Sequence, residues 1–217
     1  MSNRGLFITM EGGEGVGKST NLSFLERFLR DNGVTVVTTR EPGGTPLGEQ
    51  IRQLLLQERE EPVSEVAELL LIFAARAQHI RAIIEPSLAR GAWVLCDRFT
   101  DATYAYQCAG RGVDSETVRL LEEGVQQGLR PDYTLLLDVS VDVGMNRAKQ
   151  RAALDRFEQE TRDFFERVRA GYLQQAKADR ERYRVIDAGQ SLMDVQEQLT
   201  RIGNELLSRS TARQSRS

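Results

Sequence analysis

The fold of this chain is decided by Gly12-Gly13-Glu14-Gly15-Val16-Gly17-Lys18-Ser19-Thr20, a glycine-rich loop that fits the pattern G-x-x-x-x-G-K-[ST]. An apolar run at residues 6–10 precedes it and is typical of a buried strand, and apolar side chains at helical spacing follow from Leu22 to Leu29. Glycines allow the loop to wrap its N–H groups around an anion, and the positive end of the helix points at the same place. The stretch therefore predicts a nucleoside triphosphate site, in which Lys18 contacts the β- and γ-phosphates and the Ser19 hydroxyl binds Mg²⁺.

Four further apolar runs predict strands, and helical patterns separate them. They cover residues 34–39, 93–96, 133–137 and 184–186. The runs are continuously apolar rather than alternating, which is typical of a parallel sheet covered by helices on both faces. We therefore predict a three-layer α/β/α fold with a five-stranded parallel sheet, whose strand ends meet at one ligand-binding edge. The polar side chains expected at that edge are those of Arg40, Glu41, Asp97, Arg98, Asp138 and Asp187.

Length and composition predict one domain at residues 1–207, followed by a disordered tail at 208–217. The formal net charge of −3 argues against a broad nucleic-acid surface. Cys96 and Cys108 form neither a metal-ligand spacing nor a disulfide framework, which fits a reducing compartment. No apolar stretch is long enough to span a membrane and the first residues do not resemble a signal peptide, so the expected location is the cytoplasm, with no membrane partner.

The sequence contains a single histidine, His79, and this limits the possible chemistry. It nearly rules out both histidine-dependent nucleophilic catalysis and metal sites built from several histidines. We expect His79 itself to lie at the surface or at the edge of the core.

Two aspartates follow predicted strands and are candidates for holding Mg²⁺ or its water. Asp97 ends the run at 93–96 and Asp138 ends the run at 133–137, so the pattern alone does not choose between them. Arg98 adjoins Asp97, and a fixed cation beside a metal-binding carboxylate suits a second phosphate group. The alternative is a surface ion pair at the end of the strand.

Arg76 falls inside the apolar stripe of a long predicted helix, together with Phe73 and Ile80. A cation in that place is costly unless it is paired or faces a polar cleft. One interpretation makes Phe73 a flat apolar surface for a base whose edge Arg76 binds. The other makes Phe73 part of the core and pairs Arg76 with an acid.

Two segments allow both a functional and a plain structural interpretation. Residues 99–107 place aromatic side chains among hydroxyl and amide groups, which suits recognition of a base and a sugar but also fits an ordinary amphipathic helix. Residues 147–158 are dense in arginine and lysine. Such a run is usually a solvated surface, although in phosphoryl-transfer enzymes a cationic segment closes over the nucleotide and excludes water.

The ordered set of these motifs resembles the thymidylate kinase family in its bacterial form, over about residues 5–207. The resemblance rests on Glu11 to Thr20, Arg40-Glu41-Pro42-Gly43-Gly44-Thr45, Phe73-Ala74-Ala75-Arg76, Asp97-Arg98-Phe99, Ala105-Tyr106-Gln107 and Leu154-Asp155-Arg156-Phe157-Glu158. It implies the P-loop nucleoside monophosphate kinase fold with a short lid at about residues 144–158. It also implies Mg²⁺-dependent transfer of the γ-phosphoryl group of ATP to dTMP, giving dTDP, and a homodimer packed through helices.

The family's residue roles, carried over by motif, divide into three groups. The ATP site would contain Gly12, Gly13, Glu14, Gly15, Val16, Gly17, Lys18, Ser19, Thr20 and, beside adenine, Arg147. The dTMP site would contain Glu41, Arg52, Phe73, Arg76, Arg98, Thr103, Tyr106 and Gln107, with Phe73 stacked on thymine. Ser19, Asp97 and Glu11 would organise the metal and the phosphates, and catalysis would fall to Lys18, Arg98, Arg151 and Arg156.

Two details refine these expectations. The family places its catalytic arginine either in the glycine loop or in the lid. Because the loop here carries Glu14 and the lid is rich in arginine, the resemblance implies the lid arrangement. The interval from Phe73 to Arg76 is three residues where some relatives have four, so the stacking side chain is either Phe73 or one on the neighbouring turn at Ile72.

Other classes of protein fit the sequence less well. A kinase for another nucleoside monophosphate or for a deoxynucleoside is compatible with the loop, but Phe73, Arg76 and Gln107 favour thymine. A GTPase-type switch would carry N-K-x-D and D-x-x-G motifs, which do not occur in the sequence. An ATP-driven nucleic-acid motor would be expected to show a larger basic surface or a further domain.

Overall fold

The computed structural model describes residues 4–150 and 156–214. Its strands are β1 (Phe7–Glu11), β2 (Val36–Arg40), β3 (Trp93–Asp97), β4 (Tyr133–Asp138) and β5 (Tyr183–Asp187). They form one sheet in the order β2-β3-β1-β4-β5, and each neighbouring pair is parallel. β1 is buried along its whole length, and β3 and β4 are buried up to their last residue. The predicted parallel sheet is therefore confirmed.

Helices cover both faces of the sheet. They are α1 (Lys18–Asp31), α2 (Pro46–Leu56), α3 (Glu65–His79), α4 (Glu85–Ala89), α5 (Thr100–Thr103), α6 (Ser115–Gln126), α7 (Val141–Lys149), α8 (Arg162–Ala178) and α9 (Leu192–Gln214). Two π-helical segments, Ile80–Ile84 and Tyr104–Gly110, continue α3 and α5. None of the helices in the part of the chain that the structure describes is both long and apolar enough to span a membrane.

The alternation of side chains along the strands places buried apolar residues in separate cores on the two faces of the sheet. Ile8 and its neighbours on one face pack with α1 and α9. Phe7 and Val94, on the other face, pack with the helical stretch from Ile80 to Leu88. Because β1 contributes to both cores, it forms the centre of three layers, and the loop after it lies between them.

Two expectations about helices differ from the structure. The apolar spacing of α3 predicts one buried face that contains Val66, Leu69, Leu70, Phe73, Ala77, Ile80 and Ile84. Val66 and Leu70 are nevertheless 57% and 52% exposed, whereas His79 lies on the buried face. The boundary of the buried face is therefore rotated relative to the predicted stripe. The helix α9 also runs to Gln214, past Ser208, where the tail was expected to begin.

The register of the strands brings the polar strand ends together. Arg40 lies opposite Asp97, and Asp138 lies opposite Asp187. Glu11, at the end of β1, lies opposite Leu136 of β4. One edge of the sheet thus carries the predicted acidic and basic side chains beside the glycine loop.

Candidate active site

The glycine loop connects β1 to α1 and bends back over the start of the helix. Gly15 and Gly17 have φ angles of 68° and 88°, which side chains rarely allow. The Lys18 ammonium donates to the carbonyl oxygens of Gly12 (3.2 Å) and Gly13 (2.9 Å). Burial and the neighbouring Arg98 lower the pKa of Lys18. The loop therefore folds around its own cation at the positive end of α1.

Helix α7 packs directly against this loop. A Cβ atom on Gly15 would lie 1.9 Å from the carbonyl oxygen of Gly144, and one on Gly144 would lie 2.5 Å from the carbonyl oxygen of Glu14. Neither position has room for a side chain unless the backbone moves. The segment predicted as a lid thus begins in backbone contact with the glycine loop.

A central cavity of about 250 Å³ opens beside the loop at the carboxyl edge of the sheet. It brings together the predicted site residues Glu14, Gly15, Val16, Gly17, Lys18, Ser19, Glu41, Arg52, Arg76, Asp97, Arg98, Thr103, Tyr106 and Gln107. Gly12, Gly13, Thr20, Glu11, Phe73, Arg147 and Arg156 are outside its lining. Most of the residues predicted to bind dTMP therefore surround this one cavity, whereas several residues predicted to contact ATP or to act in the lid lie elsewhere.

Arg98 occupies the centre of a hydrogen-bond network at the wall between the loop and the cavity. One end of its guanidinium donates to Glu14 Oε1 (2.6 Å) and to the Tyr106 hydroxyl (2.9 Å). The other end donates to Gly12 O (3.0 Å) and to the Tyr172 hydroxyl (3.1 Å). Burial alone would lower the pKa of Arg98, but Tyr106 and Glu14 hold it well above its ordinary value.

The backbone of Arg98 adopts a φ angle of 68°, which is uncommon for a residue with a side chain. Such strain persists where the surrounding structure determines the conformation, and it is concentrated at functional sites. Here the backbone N–H of Arg98 donates to Met10 O at 3.1 Å, which ties the turn to β1. The turn thereby aims a permanent cation at the cavity beside the glycine loop.

Glu11 and Asp97 differ sharply in their surroundings. Glu11 is fully buried, and its two oxygens accept hydrogen bonds from the Phe99 N–H (2.7 Å) and the Tyr172 hydroxyl (2.8 Å). Burial, reinforced by the charge of Asp101, raises the pKa of Glu11 to about 8. Asp97 lines the cavity, and its buried Oδ1 has no hydrogen-bond partner among the described residues. The free acceptor of Asp97 makes it the better of the two carboxylates for a cation.

The residues fit Mg²⁺ but do not form a closed metal cage. No group of three or more His, Cys, Asp or Glu side chains with metal-binding geometry occurs within residues 4–150 and 156–214. Mg²⁺ is commonly bound through one or two protein ligands together with water and substrate phosphates. Asp97 and Ser19, which line the same cavity, are suited to that kind of site.

Arg76 is paired with an acid, as the second interpretation predicted, and it also lines the cavity. Its side chain is only 1% exposed; Nε donates to Glu41 Oε2 (2.7 Å) and Nη2 donates to Thr103 Oγ1 (2.9 Å). The remaining nitrogen, Nη1, is buried and has no hydrogen-bond partner among the described residues. A buried N–H group without a partner is expensive, so this nitrogen points to a bound acceptor.

The structure does not bring Phe73 to the cavity. Phe73 is 2% exposed, packs with Leu69 and Val118, and has its ring centroid 4.7 Å from the Arg76 guanidinium carbon. Ile72 lines the cavity instead. Adjacent residues on a helix point about 100° apart, so a displacement of one residue moves a side chain from the pocket into the core. Phe73 thus belongs to the core, as the second interpretation predicted, and its ring packs against the Arg76 guanidinium.

Glu68 binds the side chains at the far end of the cavity. This carboxylate is 1% exposed; its Oε1 accepts from Gln107 Nε2 (2.9 Å) and Arg111 Nε (2.8 Å), and its Oε2 pairs with Arg156. Arg156 also donates from Nε to Leu55 O at 2.8 Å. The predicted lid arginine is therefore docked on α2 and α3 and is not directed at the glycine loop.

The three remaining arginines of the predicted site differ in where they lie. Arg52 lines the cavity and donates to Pro42 O at 3.1 Å. Arg147 donates to Ala188 O at 2.9 Å, directly after the end of β5. Arg151 lies outside the described residues, as do Leu154 and Asp155 of the lid motif.

Sequence reasoning missed Glu68 and misplaced His79. His79 is completely buried, contrary to the expected surface position, and its Nδ1 lies 2.9 Å from Glu41 Oε1. The spacing offered a signal for His79, because it follows Arg76 by three residues and lies on the same helix face. The partners of Glu68 are distant in the sequence, and nothing local indicated them.

The parallel sheet, the glycine loop at the start of α1 and the adjoining polar cavity define a P-loop nucleotide kinase. Residues 10–199 match the family model described as thymidylate kinase. Thymidylate kinases of Teredinibacter turnerae and Pseudomonas savastanoi pv. phaseolicola are 60% and 59% identical, over 91% and 94% of this chain and 96% and 97% of their own. The crystal structure of thymidylate kinase from Ehrlichia chaffeensis, 36% identical, superposes with a TM-score of 0.69 over 84% of this chain and 93% of that one. The chain belongs to the thymidylate kinase family and is an enzyme.

Proposed function

We propose that this enzyme transfers the γ-phosphoryl group of ATP to dTMP, giving dTDP, and that Mg²⁺ is required. Its family supports phosphorylation of dTMP, and the curated relatives carry the name thymidylate kinase. The observation that carries the assignment of the acceptor is the buried Arg76, whose Nη1 has no partner among the described residues and which lines the cavity. A ligand with an acceptor at that point would satisfy the orphaned nitrogen.

The base end of the cavity suits the hydrogen-bonding edge of thymine. Arg76 is a donor for a carbonyl oxygen, and Gln107 lies on the same lining. Because the Glu68 carboxylate only accepts, it fixes Gln107 Nε2 on its own side and leaves the Gln107 carbonyl as the acceptor for the ring N–H. A carbonyl beside an N–H belongs to thymine and uracil, whereas cytosine presents the reverse pattern. Ile72 supplies the apolar surface for the ring in place of Phe73.

The phosphate end of the cavity is cationic. Lys18, Arg98 and Arg52 line it, and we assign them to the phosphates of ATP and dTMP. Asp97 and Ser19 would hold Mg²⁺, which neutralises charge on the transferred group when it is bound. Phosphoryl transfer needs alignment and charge neutralisation more than covalent catalysis, and the acceptor phosphate is already ionised near neutral pH. This end of the site therefore requires no histidine base.

We also propose a lid, formed by the segment that contains Arg147 and Arg156. Arg147 would lie beside adenine, and its bond to Ala188 O places it near the end of β5. We propose that Arg156 contributes by fixing the segment from 156 onward over the acceptor, since its guanidinium is held by Glu68 and Leu55. Phe157 and Glu158 then line the cavity, which helps to exclude water. Any contribution of Arg151 to the transferred phosphate rests on the family resemblance alone.

We also propose a homodimer formed by helices α2, α3 and α6, and a single kinase domain within each subunit. Leu54, Val66, Leu70 and Leu120 are between 45% and 57% exposed on these three helices. Exposed leucine and valine side chains grouped on adjacent helices are typical of an interface between subunits. A second copy of the chain would cover this surface.

The experiment that tests the reaction measures ADP release with ATP and Mg²⁺ while one acceptor at a time is offered. The acceptors are dTMP, dUMP, UMP, CMP, AMP, GMP and thymidine. We expect strong turnover with dTMP, weaker turnover with dUMP and little with the others. Preference for another monophosphate would contradict the thymine assignment, and turnover without dependence on any acceptor would contradict the transfer reaction.

Two arginine variants test whether the preference for dTMP depends on the side chains that line the cavity. Arg76→Met should raise the KM for dTMP by roughly tenfold or more, because it removes the donors of a charged hydrogen-bonding group. Arg81→Met is the matched control, since the Arg81 side chain is 88% exposed on the same stretch of helix. An equal effect of both substitutions would remove Arg76 from the proposed base site.

A further inference from the structure

The buried His79 lies within a chain of hydrogen bonds that leads from Thr39 to Arg76 at the cavity. Thr39 Oγ1 lies 2.7 Å from His79 Nε2, His79 Nδ1 lies 2.9 Å from Glu41 Oε1, and Glu41 Oε2 accepts from Arg76 Nε at 2.7 Å. We propose that His79 is a positioning residue, which fixes the Glu41 carboxylate and through it the guanidinium of Arg76. The inference rests on the proposed role of Arg76 in binding the base of dTMP.

The two oxygens of the Glu41 carboxylate bind different side chains, and this is why His79 affects the position of Arg76. Glu41 is 4% exposed, and each of its two oxygens is engaged by a different side chain, one by Arg76 and the other by His79. With His79 removed, the carboxylate would keep Arg76 but could rotate about its last bond. The guanidinium would then keep its hydrogen bond to Thr103 and its contacts with the rings of Phe73 and Phe99, but the direction of its bond to Glu41 would no longer be fixed. Small displacements of a group that contacts substrate reduce binding strongly.

The orientation of the imidazole is itself fixed from the other side. A Cβ atom on Gly44 would lie 2.6 Å from Thr39 Oγ1 and 2.7 Å from His79 Nε2, so the loop backbone lies directly over that hydrogen bond. Because the Glu41 carboxylate only accepts, His79 Nδ1 carries the proton of the bond between them. The ring thus connects strand β2 to the base site with one polar atom at each end. A leucine or phenylalanine of similar volume would fill the space but would orient nothing.

The kinetic test uses His79→Leu, His79→Asn and Thr39→Val, with steady-state constants for dTMP and ATP measured separately. In His79→Leu the KM for dTMP should rise by roughly tenfold or more, as expected for a lost hydrogen bond to a charged group. The KM for ATP and kcat should stay within about twofold, since the glycine loop is untouched. His79→Asn keeps a donor at the position of Nδ1 and should restore most of the affinity for dTMP.

Thr39→Val and Thr38→Val form a matched pair on one strand. Thr39→Val removes the anchor of the imidazole and should raise the KM for dTMP several-fold, whereas Thr38, whose side chain is exposed, serves as the control. Thermal unfolding identifies any variant that fails to fold. If His79→Leu fails to fold, His79→Asn and Thr39→Val still test the proposal. An unchanged KM for dTMP in the folded variants, or a parallel loss of kcat and ATP affinity, would overturn the proposal.

Because the chain has a single histidine, its imidazole nitrogens give one pair of NMR signals that need no assignment. We expect a protonated Nδ1 in the free enzyme and a shift of both signals when dTMP is added without ATP. A neutral ring protonated only at Nε2 would overturn the positioning role whatever the acceptor is. If the wild type turns over dTMP and the variants keep its affinity, only this inference fails. If the wild type does not use dTMP, the proposed function fails and the inference fails with it.

Discussion

Replacing Glu11 by glutamine should change how the stability of the protein depends on pH. The carboxyl is fully buried at the end of β1, and its pKa is raised to about 8, mainly by burial and also by Asp101. Glutamine is nearly isosteric with the neutral acid: its carbonyl can accept from the Phe99 N–H, and its amide group can donate to the Tyr172 oxygen once the hydroxyl hydrogen of Tyr172 turns away from residue 11. The substitution therefore preserves the shape of the site, removes the titration, and reverses the hydrogen bond with Tyr172, a change that is the same at every pH.

The sign follows from the proton count in the two states. The unfolded chain ionises Glu11 near its ordinary pKa of 4.5, whereas the folded chain holds the proton until about pH 8. Between those values the unfolded state binds fewer protons, so the free energy of unfolding falls as the pH rises. Each pH unit in this window is equivalent to about 1.4 kcal/mol, which gives an upper figure of about 3 kcal/mol between about pH 5 and about pH 7.

The assay is urea denaturation of the wild type and of Glu11→Gln at a series of pH values from about 5 to 8. The difference in free energy of unfolding between the two proteins isolates Glu11 from other titrating groups. We expect the free energy of unfolding of Glu11→Gln to increase relative to that of the wild type as the pH rises. A difference that is constant across the series would refute the raised pKa, and a difference of opposite sign would refute the burial argument.

Glu49→Gln is a control for this experiment. Burial would raise the pKa of Glu49, but hydrogen bonds from Arg40 and the Gly44 N–H lower it below its ordinary value. The stability that Glu49 contributes is present above its ordinary pKa and is lost only as the pH falls below it. Its difference from the wild type should therefore be flat over the same series.

Three further predictions concern activity and assembly. Lys18→Ala should abolish turnover, because we propose that Lys18 binds the phosphates, and the variant should still fold although it loses the hydrogen bonds to Gly12 O and Gly13 O; a variant that fails to fold would contradict this. Arg156→Ala should lower kcat by roughly tenfold with a smaller change in the KM for dTMP, because the bond to Glu68 holds the segment that we propose closes over the site, and a loss of dTMP affinity alone would exclude that role. Leu70→Asp should give a monomer by light scattering, whereas Val185→Asp, a change at a site that is also half-exposed but on β5, should not; a shared outcome would exclude the proposed interface.

The framework of the fold could be predicted from the sequence because its signals are local. The five apolar runs matched five strands to within one or two residues at each end, and the glycine pattern placed the turn before α1. Strand ends in a parallel sheet share an edge, so the grouping of Asp97 and Arg98 with the glycine loop followed from topology. These inferences needed no knowledge of side-chain contacts.

The parts of the site that escaped prediction depend on contacts between distant segments. Glu68 binds Gln107, Arg111 and Arg156, which lie between 39 and 88 residues away along the chain. No periodicity or local motif reports such a grouping. The exchange of Phe73 for Ile72 at the cavity has a different cause, because it depends on the rotation of α3 about its axis. Spacing fixes that rotation only to within about one residue.

The close approach of Gly15 and Gly144 has a consequence for how this enzyme can vary. Each glycine is required by the backbone of the other segment, and a side chain at either one would force the loop and α7 apart. Once they are apart, a second side chain meets little further resistance. The two positions should therefore behave as one genetic unit, with strong epistasis between them: the cost of both substitutions together would be far below the sum of the separate costs.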